Sequence, residues 1–129
     1  MNIEKETLGS NTYINAYDND GTHLGKLIIS FDVEHSRYKH LCVGDKLAKI
    51  VRLETNPRHC GKGIATALLN YAFEEYGDYN LYLLCAPSPR GDSDSLRTVS
   101  DLKNFYGRFG FKETGELIPT MIRQTTNGE

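Results

Sequence analysis

Residues 56–65 join a predicted strand to a predicted helix and read Asn56-Pro57-Arg58-His59-Cys60-Gly61-Lys62-Gly63-Ile64-Ala65. Gly61 and Gly63 let backbone N–H groups turn inward and let a ligand approach the chain closely. The helix that follows carries unpaired N–H donors and a partial positive charge at its start. With Arg58, His59 and Lys62 adding charge, the stretch predicts a site for a pyrophosphate-like anion. A tight turn with solvated basic side chains is the alternative interpretation.

The segment before this turn, Lys49–Thr55, alternates in a way that predicts a half-buried strand. Strict alternation assigns one set of side chains to one face, namely Ile50, Arg52 and Glu54. It assigns the other set to the opposite face, namely Val51, Leu53 and Thr55.

The segment after the turn predicts an amphipathic helix that Gly77 ends. Its apolar stripe follows helical spacing and consists of Ile64, Ala67, Leu68, Tyr71 and Ala72.

The rest of the chain supplies strands on both sides of this unit. Thr12–Tyr17 and Leu24–Phe31 flank Asp18-Asn19-Asp20-Gly21 and predict a hairpin. The continuous apolar run Leu81–Ala86 is typical of a strand buried on both faces. Residues 32–47 are polar and are interpreted as a connection, and residues 87–99 as a long loop.

A second helix is predicted from Ser100, as N-cap, to a stop at Gly110. Its stripe is Leu102, Phe105, Tyr106 and Phe109. Phe111–Glu116 and Leu117–Gln124 predict a closing pair of strands. The predicted order is β-β-β-α-β-α-β-β, which is typical of an α/β protein with a sheet of mixed direction.

Composition restricts the function classes. The 129 residues predict a single domain over residues 1–129, since a domain holds roughly 150 residues. The net charge of −2 argues against nucleic acid as a partner. No apolar run approaches the roughly 20 residues of a membrane span, and the first residues do not resemble a secretory signal. The three cysteines have no ligand-like spacing, which favours free thiols in a cytoplasmic setting and no metal site.

Two phosphate-binding motifs do not match the turn. A Walker loop needs Ser or Thr after Lys62, where Gly63 stands. A dinucleotide fingerprint needs a third glycine where Thr66 stands, together with repeated βα units.

Three segments resemble the GNAT superfamily of N-acetyltransferases. Cys60–Ala65 resembles its Arg/Gln-x-x-Gly-x-Gly/Ala signature, Leu102–Phe111 its later helix with a Phe-Tyr…Gly-Phe pattern, and Met121–Arg123 its last strand. The resemblance covers residues 11–124. It implies a mixed, mostly antiparallel sheet with two main helices. It also implies that the turn cradles the pyrophosphate of acetyl-CoA through Cys60, Gly61, Lys62, Gly63, Ile64, Ala65 and Thr66.

The resemblance further implies direct acetyl transfer to an amine without a metal. Tyr106 matches the position of the acid that protonates the leaving thiolate, with a core tyrosine as the alternative. The strand backbone from Leu53 to Thr55 is predicted to donate an N–H to the thioester oxygen. Glu54 is predicted as the general base, and Glu34, His35 and His40 remain alternatives.

The sequence departs from the family at three places. The first signature position is Cys60 where the family has Arg or Gln, and Val99 stands where it often has Asn. The two helices that usually precede the first hairpin are missing. The acceptor site is therefore predicted to be open, or to be completed by residues 32–47, by residues 87–99 or by a second subunit in a homodimer.

The acceptor itself is left open by the sequence. An amine-bearing small molecule and a protein or peptide amine both remain candidates. A catalytically silent protein that keeps the fold and binds CoA, and a module that binds a partner, are the two alternatives to an enzyme.

Overall fold

The computed structural model describes residues 1–33, 42, 46–56, 58, 63–84, 99–115 and 120–125. Within these residues the chain forms seven strands and two helices. The strands are β1 (Asn2–Leu8), β2 (Asn11–Tyr17), β3 (His23–Ser30), β4 (Leu47–Thr55), β5 (Asn80–Leu84), β6 (Lys112–Glu113) and β7 (Thr120–Arg123). The helices are α1 (Ile64–Glu75), between β4 and β5, and α2 (Val99–Gly107), between β5 and β6.

All seven strands belong to one sheet, with the order β1-β2-β3-β4-β5-β7-β6. Every neighbouring pair is antiparallel except β4 and β5, which run parallel. The helix α1 forms the crossover that a parallel pair requires. The mixed, mostly antiparallel sheet with two main helices that the sequence predicted is confirmed.

Strand β1 was not predicted. It pairs with β2 along its whole length, from Asn2 opposite Tyr17 to Leu8 opposite Asn11. Most of its side chains are exposed, and Ile3 is the one that packs against the core. Only Gly9 and Ser10 separate β1 from β2, and no helix lies within residues 1–33.

Both helices pack on the same side of the sheet, which we call the helix face. Its core cluster combines residues of all the central elements, including Ile14, Leu27, Ala48, Ile50, Leu68, Leu69, Leu81, Leu83, Tyr106 and Met121. The opposite side, which we call the open face, has a smaller cluster of Leu47, Tyr82 and Ile122. Val33 and Cys42 pack against this smaller cluster. No helix among the described residues is long and apolar enough to cross a membrane.

The helix boundaries correct two predictions. Helix α1 ends at Glu75, and its C-cap is Tyr76, whose N–H donates to the carbonyl of Ala72 at 2.8 Å. The prediction that Gly77 ends the helix was therefore wrong, because ordinary backbone at Tyr76 already closes it. Helix α2 begins at Val99, so Ser100 lies inside the first turn and is not the N-cap.

The predicted hairpin is confirmed, and the closing strands are shorter than predicted. The Asp18 carboxylate accepts N–H bonds from Asp20 and Thr22, both at 2.9 Å, and so stabilises the turn between β2 and β3. The closing pair is reduced to Lys112–Glu113 and Thr120–Arg123, because Gly115 adopts a positive φ of 83° where the first strand was expected to continue. Residues 85–86 and 116–119, which the predictions included, lie outside the described residues.

The predicted faces of β4 were wrong because the strand contains a β-bulge. Ile28 pairs with Arg52 and Ile29 pairs with Ile50, which leaves Val51 without a partner on β3. A bulge places one extra residue on one strand and shifts the alternation beyond it. Ile50 and Leu53 consequently both reach the helix-face core, whereas Arg52 and Glu54 lie together on the open face.

Candidate functional site

A gap opens between β4 and β5 towards their carboxyl ends. The two strands pair only from Leu47 opposite Asn80 to Lys49 opposite Tyr82. Beyond that point β4 continues to Thr55 beside β3, while the end of β5 pairs with β7. The bulge at Val51 lies where the two strands separate. In a parallel sheet, ligand sites form at crevices beyond the carboxyl ends of the strands, and bulges are over-represented there.

One edge of β4 presents backbone N–H groups to this gap. The N–H of Asn56 donates to the carbonyl of Leu24 on β3 at 2.8 Å. Because consecutive residues of a strand direct their backbone groups to opposite edges, the N–H groups of Thr55 and Leu53 face away from β3. That direction is the side of the gap. The N–H groups of Leu53 and Thr55, which the sequence analysis predicted as donors, therefore face the gap.

Helix α1 begins beside the gap, and no acidic side chain in its first turn neutralises the partial positive charge at its N-terminus. Its N-cap is Gly63, which adopts the left-handed conformation with φ 77° and ψ 14°. No side chain caps the helix, and its first turn carries no acidic residue. A Cβ built on Gly63 meets none of the described residues within 4 Å. The N–H groups of Ile64, Ala65 and Thr66 in that turn are suited to binding an anion.

Asn56 anchors the beginning of the turn, a role the sequence did not reveal. Its side-chain N–H donates to the backbone carbonyl of His23 at 3.1 Å, and its side-chain oxygen Oδ1 accepts the backbone N–H of Arg58 at 3.1 Å. Together with the backbone bond to Leu24, these contacts fix the path of the chain as it leaves the sheet. An Asn side-chain oxygen that accepts the backbone N–H of the residue two positions later forms an Asx-turn, which is common where the chain changes direction.

Gly25 brings the sheet and helix α1 close together, and it too was missed. A Cβ on Gly25 would lie 2.6 Å from the carbonyl oxygen of Glu54, 3.1 Å from Cγ2 of Ile64 and 3.4 Å from Cδ1 of Leu68. Gly25 also pairs with Thr55, the last residue of β4. A glycine within a strand pattern often marks a close approach of this kind, so the sequence did carry a signal.

Tyr106 lies on the buried side of α2, where the helical stripe predicted it. It is 8% exposed and belongs to the same cluster as Ala48 and Ile50 of β4 and Leu81 and Leu83 of β5. Its ring packs edge-on against Phe105 and Phe111, with centroids 5.2 and 5.6 Å away. The structure thus places Tyr106 in the helix-face core, with Phe105 and Phe111 as its ring contacts.

Glu54 lies on the open face in a cluster of charges. Its Oε1 is 2.5 Å from Nη1 of Arg52, and its Oε2 is 3.5 Å from Nζ of Lys26. Both carboxylate oxygens therefore contact a cation. A proton acceptor at this position has to exchange one of those contacts for the substrate.

The remaining predicted site residues lie outside the described part of the chain. They are Cys60, Gly61 and Lys62, which complete the predicted anion site, and the alternative bases Glu34, His35 and His40. Among the residues that are described, no group of three His, Cys, Asp or Glu side chains is arranged to hold a metal ion.

A cavity of about 520 Å³ lies elsewhere, beside β6 and the end of β7. Its lining includes Phe109, Lys112 and Arg123. Arg123 pairs with Leu81 near the start of β5, so the cavity is at the end of the sheet opposite the gap. It contains none of the predicted site residues.

Several solved structures, acetyltransferases among them, have the same fold. PH1933 from Pyrococcus horikoshii superposes with a TM-score of 0.62 and 23% identity over 86% of this chain and 63% of its own. The PaiA N-acetyltransferase from Thermoplasma acidophilum, solved in complex with coenzyme A, superposes with a TM-score of 0.56 and 20% identity over 88% of this chain and 60% of its own. The chain thus spans less than two thirds of these two proteins.

A third structure, NAA60 from Arabidopsis thaliana in complex with a bisubstrate analogue, gives a TM-score of 0.64 and 16% identity, over 94% of this chain and 78% of its own. At these identities the similarity establishes the fold alone. The sequence has no match among curated proteins.

A family model matches most of the chain. Residues 10–113 match the acetyltransferase (GNAT) domain, a range that includes the β4–α1 turn, the gap and Tyr106. The protein belongs to the GNAT superfamily of acetyltransferases.

Proposed function

We propose that the chain, as a single domain over residues 1–129, is an acetyl-CoA-dependent N-acetyltransferase that transfers the acetyl group directly to an amine. The observation that carries this proposal is the juxtaposition of two backbone features. Among the described residues, no strand pairs with the edge of β4 that carries the N–H groups of Leu53 and Thr55, and the uncapped start of α1 at Gly63 follows this strand in the chain. An extended amide-bearing arm joined to a pyrophosphate, as in acetyl-CoA, matches both.

The binding residues follow from this geometry. The N–H groups of Leu53 and Thr55 pair with the amide-bearing arm of acetyl-CoA as an added strand would. The first turn of α1, from Gly63 to Thr66, binds the pyrophosphate through backbone N–H groups and the helix dipole. Cys60, Gly61 and Lys62 complete this cradle in the proposal, with the Lys62 ammonium adding positive charge.

The acceptor amine must lose a proton before it attacks the thioester carbon. A lysine-like amine with a pKa of about 10.4 is almost fully protonated at pH 7. Removing its proton at that pH costs roughly 4 to 5 kcal/mol. Glu54 is the proposed base, since it is a carboxylate on the open face close to the end of β4. The new C–N bond forms as negative charge develops on the thioester oxygen, where an N–H of β4 stabilises it.

The C–S bond then breaks and the thiolate needs a proton. Tyr106 is the proposed acid, since it is buried in the core cluster that also contains Ile50 of β4 and Leu83 of β5. Its hydroxyl donates a proton to the sulfur as CoA leaves. The second proton that the attacking nitrogen loses after the C–N bond forms restores the Tyr106 hydroxyl through solvent, and Glu54 releases the first proton to solvent. The products are an amide, CoA and one proton, so the charges balance.

Related structures support the substrate classes. PaiA was solved with coenzyme A, and NAA60 with a bisubstrate analogue. The spermidine/spermine N-acetyltransferase SpeG from Vibrio cholerae, at a TM-score of 0.59 and 18% identity, acts on small amines, as its name states. Amines of small molecules and of peptides are therefore both reasonable acceptors for this chain.

The decisive experiment compares two glycines that share the same backbone strain. Gly63 and Gly21 both have positive φ, 77° and 84°, and a Cβ on either meets nothing within 4 Å. Gly63→Val and Gly21→Val should therefore lose similar stability. Only Gly63→Val should lose affinity for acetyl-CoA in calorimetric titrations, by tenfold or more, which is about 1.4 kcal/mol.

The outcomes separate the proposal from its alternatives. Equal acetyl-CoA affinity in the two folded variants would remove the proposed pyrophosphate site. Wild-type protein that binds acetyl-CoA but releases no CoA thiol with any amine in a broad panel would be the catalytically silent form of the fold. A wild-type protein that does not bind acetyl-CoA would be a partner-binding module.

A further inference from the structure

Two exposed apolar side chains occupy matching positions on the two walls of the gap. Lys49 and Tyr82 form the last pair between β4 and β5. Two residues further along each strand stand Val51 and Leu84, which are 51% and 40% exposed. In the part of the chain that the structure describes, the other large hydrophobic side chains this exposed are those of Met1 and Leu8. A pair of such side chains at one opening is therefore unusual for this surface.

Both side chains belong to the open face. Leu81 and Leu83 reach the helix-face core and Tyr82 joins the open-face cluster, so alternation assigns Leu84 to the open face. Ile50 and Leu53 reach the helix-face core, which leaves the bulged pair of Val51 and Arg52 on the open face between them. Val51 and Leu84 thus form the rim of the gap on the side away from α1 and α2.

Among the described residues of β3 and β4, the charged side chains on the open face are mainly positive. They are Lys26, Lys49 and Arg52, and Glu54, which contacts two of them, is the acidic residue in this set. A ligand with a second ammonium group would be repelled by the net positive charge of this set. An apolar group would instead find Val51 and Leu84 available for burial.

We infer that the acceptor is a primary amine whose carbon chain or ring is apolar, and that Val51 and Leu84 contact this apolar part while the amine enters the gap. The inference rests on the proposed function, because it needs the acetyl group to be held between β4 and β5. It names the substrate class that the proposed function leaves open, and it excludes polyamines.

The test uses two amines that differ in one group. Pentylamine and cadaverine have the same five-carbon chain, and cadaverine carries a second ammonium in place of a terminal hydrogen. We expect kcat/KM for pentylamine to exceed that for cadaverine by at least about tenfold at low salt, and the difference to narrow as salt screens the cations.

Two variants and a matched control test the rim itself. Val51→Ser and Leu84→Ser should each reduce kcat/KM for pentylamine by about tenfold, the effect typical of losing an apolar contact in a binding pocket. They should reduce kcat/KM for cadaverine less, so that the ratio of kcat/KM for pentylamine to kcat/KM for cadaverine falls. Leu8→Ser removes a side chain of similar exposure, 57%, on the distant strand β1, and should leave the ratio unchanged. Calorimetric titration with acetyl-CoA checks that each variant still binds the donor.

The results distinguish this inference from the proposed function. Protein that acetylates cadaverine as fast as pentylamine, or rim variants that behave like Leu8→Ser, would overturn the apolar-acceptor inference and leave the acetyltransferase intact. Protein that binds acetyl-CoA but acetylates neither amine would overturn it as well. Protein that does not bind acetyl-CoA would overturn the proposed function and this inference together.

Discussion

Gly25 on β3 lies directly against Ile64, the first residue of α1. A Cβ on Gly25 would stand 3.1 Å from Cγ2 of Ile64 and 2.6 Å from the carbonyl oxygen of Glu54. The absence of a side chain at this one position allows the start of the helix to approach the end of β4. The position of the proposed pyrophosphate site relative to the gap therefore depends on a glycine that is not itself one of the proposed ligand-binding residues.

Gly25→Ala should shift the start of α1 away from the sheet. The clash with backbone cannot relax cheaply, so we expect a loss of about 1 to 3 kcal/mol in the free energy of unfolding. The Kd for acetyl-CoA should rise, while the Kd for acetyl-pantetheine, which lacks the pyrophosphate, should change little. Gly107→Ala is the control, since a Cβ there meets nothing within 4 Å. An equal loss for both ligands would show that Gly25 matters only for stability.

Tyr106→Phe keeps the packed ring and removes the hydroxyl. If that hydroxyl is the acid, kcat should fall by roughly 10²-fold, while the Kd for acetyl-CoA should hardly move. Tyr71→Phe provides a control, because Tyr71 is a partly buried tyrosine of α1 whose hydroxyl interacts with Glu75. A Tyr106→Phe enzyme with normal kcat and a lower melting temperature would make Tyr106 a core residue only.

Glu54→Gln tests the proposed base. A general base accepts the proton of the attacking amine, and an amide side chain cannot do so. The variant should therefore lose about 10²-fold in kcat at neutral pH, while its Kd for acetyl-CoA should hardly move. Glu113→Gln is the control, because Glu113 is a carboxylate paired with Lys103 at 2.6 Å on the far edge of the sheet. Equal kcat for the wild type and Glu54→Gln would reduce Glu54 to an ion-pair partner of Arg52 and Lys26.

The three cysteines should differ in their reaction with iodoacetamide. Partial burial raises the pKa of the Cys42 thiol, so little of it is thiolate at neutral pH. Cys60, near the start of α1 and between basic residues in sequence, should have more thiolate character and react before Cys42 and Cys85. Acetyl-CoA should slow its alkylation, as peptide mapping by mass spectrometry would detect. If Cys60 proves the least reactive, or indifferent to acetyl-CoA, the turn does not hold the ligand.

Periodicity predicted the elements whose stability comes from burial. The stripes of Ile64, Leu68 and Ala72 on α1 and of Tyr106 on α2 were predicted and are buried. Strand β1 was missed for the converse reason. An edge strand can be held by backbone pairing with a single neighbour, and Asn2–Leu8 buries little besides Ile3, so its sequence carries no apolar alternation.

Only the local backbone features of the candidate site were predictable. The glycine-containing turn predicted a glycine with unusual backbone geometry before α1, and Gly63 adopts the left-handed conformation there; the anion site itself stays a prediction. The faces of β4 were not predictable, because the bulge at Val51 depends on how β4 pairs with β3, and alternation assumes a regular strand. The same limit applies to Gly25, whose close neighbours Glu54 and Ile64 are distant in sequence.

The two-residue connection between β1 and β2 has a consequence for engineering. Gly9 has a φ of 63°, a Cβ on it would meet nothing within 4 Å, and Leu8 and Asn11 pair directly on either side of the turn. A longer segment grafted between Gly9 and Ser10 would leave the pairing register intact, and each doubling of its length costs only about 0.6 kcal/mol in loop entropy. Such a graft would extend from the edge of the sheet without replacing any core residue. Because Asn11 pairs with Ser30 and Ser30 pairs with Lys49, this turn lies at the end of the sheet away from the gap, and a segment inserted there would leave the proposed site unchanged.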